Sequence, residues 1–226
     1  MNNSNYDYEP QFNELNAYAL GLLWADGFMH HNKKYKSKYL RIEILQDDFM
    51  DFEAALSSLG KLTHGTRLRK NRTRPITSAL ISNKNLAEWA FNLGFKQKSQ
   101  ISPCAILENI SKEYYRDFIR GWIDGDGCFY INSKNNIYQF YMCGSYEQDW
   151  TAFENFLNAH QISYIYKQKI QIQNNRENKC SVIKILKRND LIKLREILYT
   201  NTFTFLKRKK EKADLIPALM RKTSIK

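Results

Sequence analysis

The sequence predicts a mixed α/β (α+β) fold made of two αββαββα units, residues 1–110 and 111–226. Three matched segments carry that reading. ALGLLWADG (19–27) pairs with IRGWIDGDG (119–127), with Gly21/Gly121, Asp26/Asp126 and Gly27/Gly127 at a constant offset of 100. DFMDFEAALSSLG (48–60) pairs with DWTAFENFLNAHQ (149–161) at an offset of 101, keeping Phe52/Phe153, Glu53/Glu154 and Leu56/Leu157 in step. NKNLAEWAFNLG (83–94) pairs with RNDLIKLREILY (188–199) at an offset of 105. Three segments matched in the same order indicate an internal duplication.

Each unit reads the same way from its start. Residues 12–26 and 112–126 have helical apolar spacing, through Leu15, Tyr18 and Leu22 and through Tyr115, Phe118 and Trp122. Gly27 and Gly127 stand where a C′ glycine would end those helices. Next come aromatic-rich stretches with polar residues between, FMHHNKKYKSKYLRIEIL and CFYINSKNNIYQFYMC, read as paired strands. An amphipathic helix follows (48–59; 149–160), then a second strand pair, LTHGTRLRKNRTRPITSALIS and SYIYKQKIQIQNNRENKCSVIKILK, then a closing helix. KQKSQISPCAILENI (96–110) reads as the connection between units, and FLKRKKEKADLIPALMRK as a terminal basic helix that either contacts phosphates or is solvated.

Composition narrows the class. The chain has 226 residues, 35 Lys+Arg against 23 Asp+Glu and a net charge of +12, which points to a polyanionic partner. Hydrophobic residues make up 43%, enough for a core. No apolar run suits a membrane span, and the acidic start lacks the basic region of a secretory signal. None of the four cysteines forms a CxxC pair, which disfavours zinc knuckles and thioredoxin-type chemistry. The expected setting is intracellular. Enrichment in residues with A+T-rich codons (Asn, Lys, Ile, Tyr) leaves an organelle, a phage-infected cell and a bacterial cytoplasm equally open.

Gly21 and Ala25 are four apart, as are Gly121 and Gly125, so each pair gives its helix one face without bulk. Packing those faces together brings Asp26 and Asp126 near each other, each at a helix C-terminus where the dipole disfavours a carboxylate. A divalent cation would offset that cost, and all-oxygen ligation suits Mg²⁺. The alternative is that both are turn residues making local hydrogen bonds. That local role is the expected one for Asp124, whose repeat position holds Trp24.

These motifs resemble those of the LAGLIDADG homing endonucleases in the single-chain, two-motif form, over about residues 12–200. AYALGLLWADGFM resembles the first motif, and LAEWAFNLGFKQKSQISP…FIRGWIDGDGCFYI the passage into the second. Ala19, Leu20 and Trp24, and Ile119, Arg120 and Trp122, depart from the usual motif residues; the final Asp of each copy is kept. The resemblance implies a pseudo-twofold monomer with the motif helices at its central interface and an antiparallel β-saddle lying on a long asymmetric double-stranded DNA site. It implies that Asp26 and Asp126, with Ala25 and Gly125, hold Mg²⁺ (Mn²⁺ substituting), each Asp serving the cutting of one strand. It also implies a basic residue near the end of each final strand. In the second unit Lys187 is chosen for that role and Lys184 comes second; in the first unit Ser82 takes the matching position and Lys84 is the nearby lysine. Some members act as RNA maturases on host introns. That function, and a non-cleaving DNA-binding protein on the same fold, are the rival readings.

The basic residues gather on the strands. The expected DNA-binding set is Lys33, Lys34, Lys36, Lys38, Arg41, Arg67, Arg69, Lys70, Arg72 and Arg74 in the first unit, and Lys134, Lys167, Lys169, Gln171, Arg176, Lys179 and Lys184 in the second. Arg and Lys can hold phosphates or read guanine, and Gln can read adenine. Alternate residues on a strand share a face, so Arg67 and Arg69, or Lys167, Lys169 and Gln171, are expected to point one way. A solvated strand face is the alternative for any single segment. His30 and His31 read as strand residues or DNA contacts.

Overall fold

The computed structural model describes residues 8–32, 37–70, 73–173 and 176–217, with backbone alone at 31, 32, 37, 171–173 and 176. The first unit runs α1 (Glu14–Asp26), β1 (Gly27–Asn32), β2 (Ser37–Leu45), α2 (Gln46–Ser58), β3 (Lys61–Arg67), β4 (Ile76–Ser82) and α3 (Lys84–Asn92). A short helix α4 (Cys104–Leu107) lies in the connection. The second unit repeats the order with α5 (Tyr115–Asp126), β5 (Gly127–Asn132), β6 (Ile137–Gly144), α6 (Thr151–Ala159), β7 (Ile165–Gln173), β8 (Arg176–Ile185) and α7 (Arg188–Tyr199), followed by α8 (Lys207–Asp214). The sheets have matching antiparallel orders, β1-β2-β4-β3 and β5-β6-β8-β7. Among the described residues no helix is long and apolar enough to cross a membrane.

The helices α1 and α5 form the centre. Asn13 caps α1 by accepting from the Asn16 amide, and the Asn16 side chain returns to the Asn13 amide at 2.6 Å. Every residue from Ala17 to Trp24 is buried, so α1 has no solvent face over two turns. The small residues explain how the two backbones meet. A Cβ on Gly21 would stand 1.9 Å from the Phe118 carbonyl oxygen, and one on Gly121 would stand 2.0 Å from that of Tyr18. Each glycine thus admits the other helix's backbone.

Gly27 and Gly127 do not act as C′ glycines. Both are extended (φ −73° and −76°) and begin strands. Smallness matters there because a Cβ would lie 2.5 Å from the Leu23 carbonyl oxygen or 2.7 Å from that of Ile123. The chain can therefore turn from helix directly into strand.

Strand alternation sets the outer faces. Leu40, Ile42 and Ile44 of β2, with Ala79 and Ile81 of β4, are buried against the helices. Arg41 and Glu43 point the other way, opposite Leu80 and Ser78. In the second sheet Phe140, Met142, Ile183 and Ile185 face the core, leaving Tyr141 opposite Lys184 on the outside.

Candidate active site and nucleic-acid face

The end of α1 meets the end of α5 so tightly that a Cβ on Gly125 would stand 2.2 Å from the Ala25 Cβ and 3.5 Å from Asp26 Oδ2. Asp26 and Asp126 flank that contact. Both side chains reach solvent, yet the protein crowding them raises both carboxyls by desolvation. For Asp126 the charge of Asp26 adds to burial and lifts the group to about 6. Lys98 and Lys209 oppose the shift at both acids.

Those lysines make parallel contacts at the two helix ends. Lys98 Nζ donates to the Trp24 carbonyl at 2.7 Å and to the Ala25 carbonyl. Lys209 Nζ donates to the Ile123 carbonyl at 2.8 Å and to the Gly125 carbonyl at 3.0 Å. The Trp24, Ala25 and Gly125 carbonyls lie past the last helical donor and carry the negative end of the dipole, so an ammonium group satisfies both needs; the Ile123 carbonyl accepts from the Gly127 amide as well. Burial lowers each lysine to about 8, against the raising effect of nearby acids, including Asp26 and Asp126.

The tertiary wiring that delivers these lysines crosses between units. The Lys98 segment is held by the second unit: Gln148 Nε2 donates to the Lys98 and Ile101 carbonyls, each at 3.2 Å, and the Asp149 amide donates to Gln100 at 3.1 Å. α8 is held by the first unit: Arg208 grips Asp48 with two bonds of 2.9 Å, and Lys207 pairs with Asp51 at 3.3 Å. The terminal basic helix is therefore not merely solvated: three of its cations are spent on packing.

Beside Asp126 a cavity of ≈ 180 Å³ opens, lined among others by Trp24, Lys98, Trp122 and Gln148. Among the described residues no group of three or more His, Cys, Asp or Glu side chains is placed to hold an ion. A cation here would rest on two carboxylates, with carbonyl or water oxygens completing its sphere. Two mutually repelling, desolvated carboxylates are a donor set suited to a hard divalent ion. The Ala25 and Gly125 carbonyls, expected as metal donors, already accept from the lysines and have one lone pair left each.

Other expected residues fall elsewhere. Lys187 is exposed at the start of α7, where its Nζ donates to Ser163 Oγ at 3.2 Å. The lysines that act on the two carboxylates are instead Lys98 and Lys209. Lys84 is exposed in the first turn of α3. Lys98 and Lys209 escaped the repeat comparison because they lie 111 residues apart, against the motif offset of 100. Lysines follow each closing helix, but with Lys96 in one segment and Lys207, Lys210 and Lys212 in the other, the sequence does not single out these two. Asp124 makes no local cap. It is buried and accepts from Tyr18 Oη at 2.7 Å, Tyr199 Oη at 2.9 Å and the Leu206 amide at 2.8 Å.

Of the expected nucleic-acid contacts, Arg41, Arg67 and Arg69 converge on Glu43 at the outer face of the first sheet. Lys167, Lys169 and Lys184 take outer positions on the second sheet, with Cys180 opposite Lys169 and Tyr141 opposite Lys184. Lys38 instead lies on the helix side, its Nζ 4.2 Å from the Phe91 ring. Lys179 has the core-side parity of Ser181 and Ile183, its Nζ 6.0 Å from the Tyr146 ring. Arg74 pairs with Asp47 at 2.7 Å; Lys70 and Lys134 are exposed in turns. Lys33, Lys34, Lys36 and Arg72 lie outside the described residues, as do the side chains of Gln171, Arg176 and His31.

No family model matches the sequence. No curated protein matches it. Solved structures do. "The homing endonuclease I-WcaI bound to its DNA recognition sequence" aligns at a TM-score of 0.56 and 16% identity, over 93% of this chain and 94% of that one. The homing endonuclease I-DmoI, in complex with DNA and Ca, aligns at 0.51 and 15%, over 89% and 96%. Full-length DUF199/WhiA from Thermatoga maritima aligns at 0.51 and 13%, over 93% of this chain but 62% of that one. The architecture is that of the LAGLIDADG homing endonucleases: two motif helices at the centre and an antiparallel sheet on either side.

Proposed function

We propose that this chain, on the fold of the LAGLIDADG homing endonucleases, is a site-specific double-strand DNA endonuclease that uses a divalent cation, Mg²⁺ by preference and Mn²⁺ in its place. The observation that carries the reading is the pairing of Asp26 and Asp126 at the packed ends of α1 and α5, each faced by lysines, between two sheets whose outer faces bear cations. Asp26 and Asp126 would hold the ion, with the Ala25 and Gly125 carbonyls as further oxygens. Such an ion supplies charge at the scissile phosphate and acidifies a bound water. Lys98 and Lys209 hold the helix ends in place, and their positive charge favours a phosphate coming near the two acids. The closeness of the acids implies cuts a short distance apart on opposite strands, one assigned to each unit. The outer faces would grip a long duplex on both sides of the centre.

The test separates binding from cutting. Asp26→Asn and Asp126→Asn keep shape and remove charge, so each should abolish double-strand cleavage in Mg²⁺ while target binding in Ca²⁺ persists. If both variants still cut both strands at near the parent rate, these acids are not the cleavage centre. A second reading is a protein that binds DNA on these sheets without cutting it; the same fold also occurs in DUF199/WhiA. Binding of a selected duplex with no cleavage in Mg²⁺ or Mn²⁺ would favour it. Acceleration of host-intron splicing would favour the maturase reading.

A further inference from the structure

The outer face of the first sheet holds a charge cluster apart from the cleavage centre. Glu43 Oε1 accepts from Arg41 Nη2 at 3.5 Å and from Arg67 Nη2 at 3.1 Å, and its Oε2 accepts from Arg69 Nη2. Arg41 is held further, with its Nε donating to Ser78 Oγ at 2.8 Å and its guanidinium 5.7 Å from the Phe28 ring. The carboxylate is the inner member, its side chain 22% exposed against 59% for Arg67 and 43% for Arg69. One anion thus gathers three cations and leaves a net positive surface.

An acid on a face that meets phosphates weakens attraction, so a compensating role is required of it. Each of Arg67 and Arg69 gives Glu43 one nitrogen, and each carries further N–H groups on a side chain that stays solvent-exposed. A planar pair of N–H groups matches the O6 and N7 acceptors of guanine, the commonest specific contact in the major groove. A guanidinium already held by a carboxylate loses less side-chain freedom when it engages a base. Free arginines would instead follow the nearest phosphates, which carry no sequence information.

We propose that Glu43 is a specificity-determining positioning residue: it aims Arg67 and Arg69 at guanine edges in the half-site covered by the first sheet. This rests on the reading of the outer sheet faces as the duplex-binding surface.

The experiment is selection from a randomised duplex pool by the full chain in Ca²⁺, comparing the parent, Glu43→Gln, the double variant Arg67→Ala/Arg69→Ala, and all three changes together. The parent should prefer guanine at a few neighbouring positions of one half-site. Glu43→Gln should lower that preference about tenfold, the scale of one bidentate contact. It should leave the other half-site unchanged, which also reports an intact fold, and bind random DNA as tightly as the parent or tighter. In the arginine-less background Glu43→Gln should change nothing more. Three results overturn the inference alone: a parent profile untouched by Glu43→Gln, a uniform loss at all positions, or an effect that persists without the two arginines. A parent with no sequence preference overturns the DNA reading and this inference with it.

Discussion

Asp126 is held where burial and the charge of Asp26 lift its carboxyl to about 6, from 3.8 in an open chain. Between those values the unfolded chain gives up its proton first, so Asp126 destabilises the metal-free fold as pH rises through that window. Asp126→Asn should therefore melt above the parent at pH 7, by a margin that shrinks towards pH 4 and also narrows when a divalent cation is added. A thermal scan with and without Ca²⁺ checks this; a variant that melts below the parent at pH 7 would refute it. Lys98 and Lys209 are expected to matter in turn for opposite strands. Lys98→Met and Lys209→Met should each slow nicking of one strand about a hundredfold, the scale of losing one electrostatic stabiliser, with binding of uncut duplex retained. Asp124 behaves differently although it is two residues from the motif end. Removing its carboxylate strands two buried tyrosine hydroxyls and an amide. Asp124→Ala should thus cost about 3 kcal/mol in urea unfolding, whereas Asn, keeping an acceptor, should cost less.

At the scale of elements, the pair α1 and α5 tolerates no added atom at its crossing. Gly21→Ala and Gly121→Ala each place a methyl group within 2.0 Å of a carbonyl oxygen on the facing backbone. Only separation of the helices relieves that, at about 3 kcal/mol or more by the measure of overpacked cores. A loss under about 0.5 kcal/mol for both in urea unfolding would mean that the helices do not meet as described. The strands follow the same economy of position. Lys38 and Arg41 are three apart on β2, and odd spacing sends one over Phe91 on the helix side and the other to the outer face. A basic strand is therefore not a basic face, and the charge of each residue has to be assigned by parity. α8 shows the corresponding limit for helices, since Arg208 is paired with Asp48 and Lys209 is buried.

For the whole molecule, one chain supplies both halves of the centre. The expected active species is a monomer, checked by sedimentation with a bound duplex. The two outer faces differ in chemistry: arginines around Glu43 on the first, lysines among Cys180 and Tyr141 on the second. The preferred site should then be asymmetric, and a palindrome emerging from random selection would contradict that. Binding should fall steeply with salt, because phosphate contacts release counterions. A flat salt response would remove phosphates as the main source of affinity.

The order of elements, the duplicated helix ends and the acids Asp26 and Asp126 were legible in the sequence, because a repeat preserves spacing along the chain and helix periodicity turns spacing into a shared face. The glycine positions were legible as small faces, but their purpose at Gly27 and Gly127 was misread: backbone angles at a helix-to-strand turn do not show in residue type. Lys98 and Lys209 could be found only in three dimensions. They come from segments that cross from one unit to the other, and their distances along the chain obey no repeat offset. The same holds for Asp124, whose partners Tyr18, Tyr199 and Leu206 are brought together by packing, and for Glu43, an acid in a basic strand set whose ion pairs form only once β2, β3 and the turn after β3 bring its three arginines to one point.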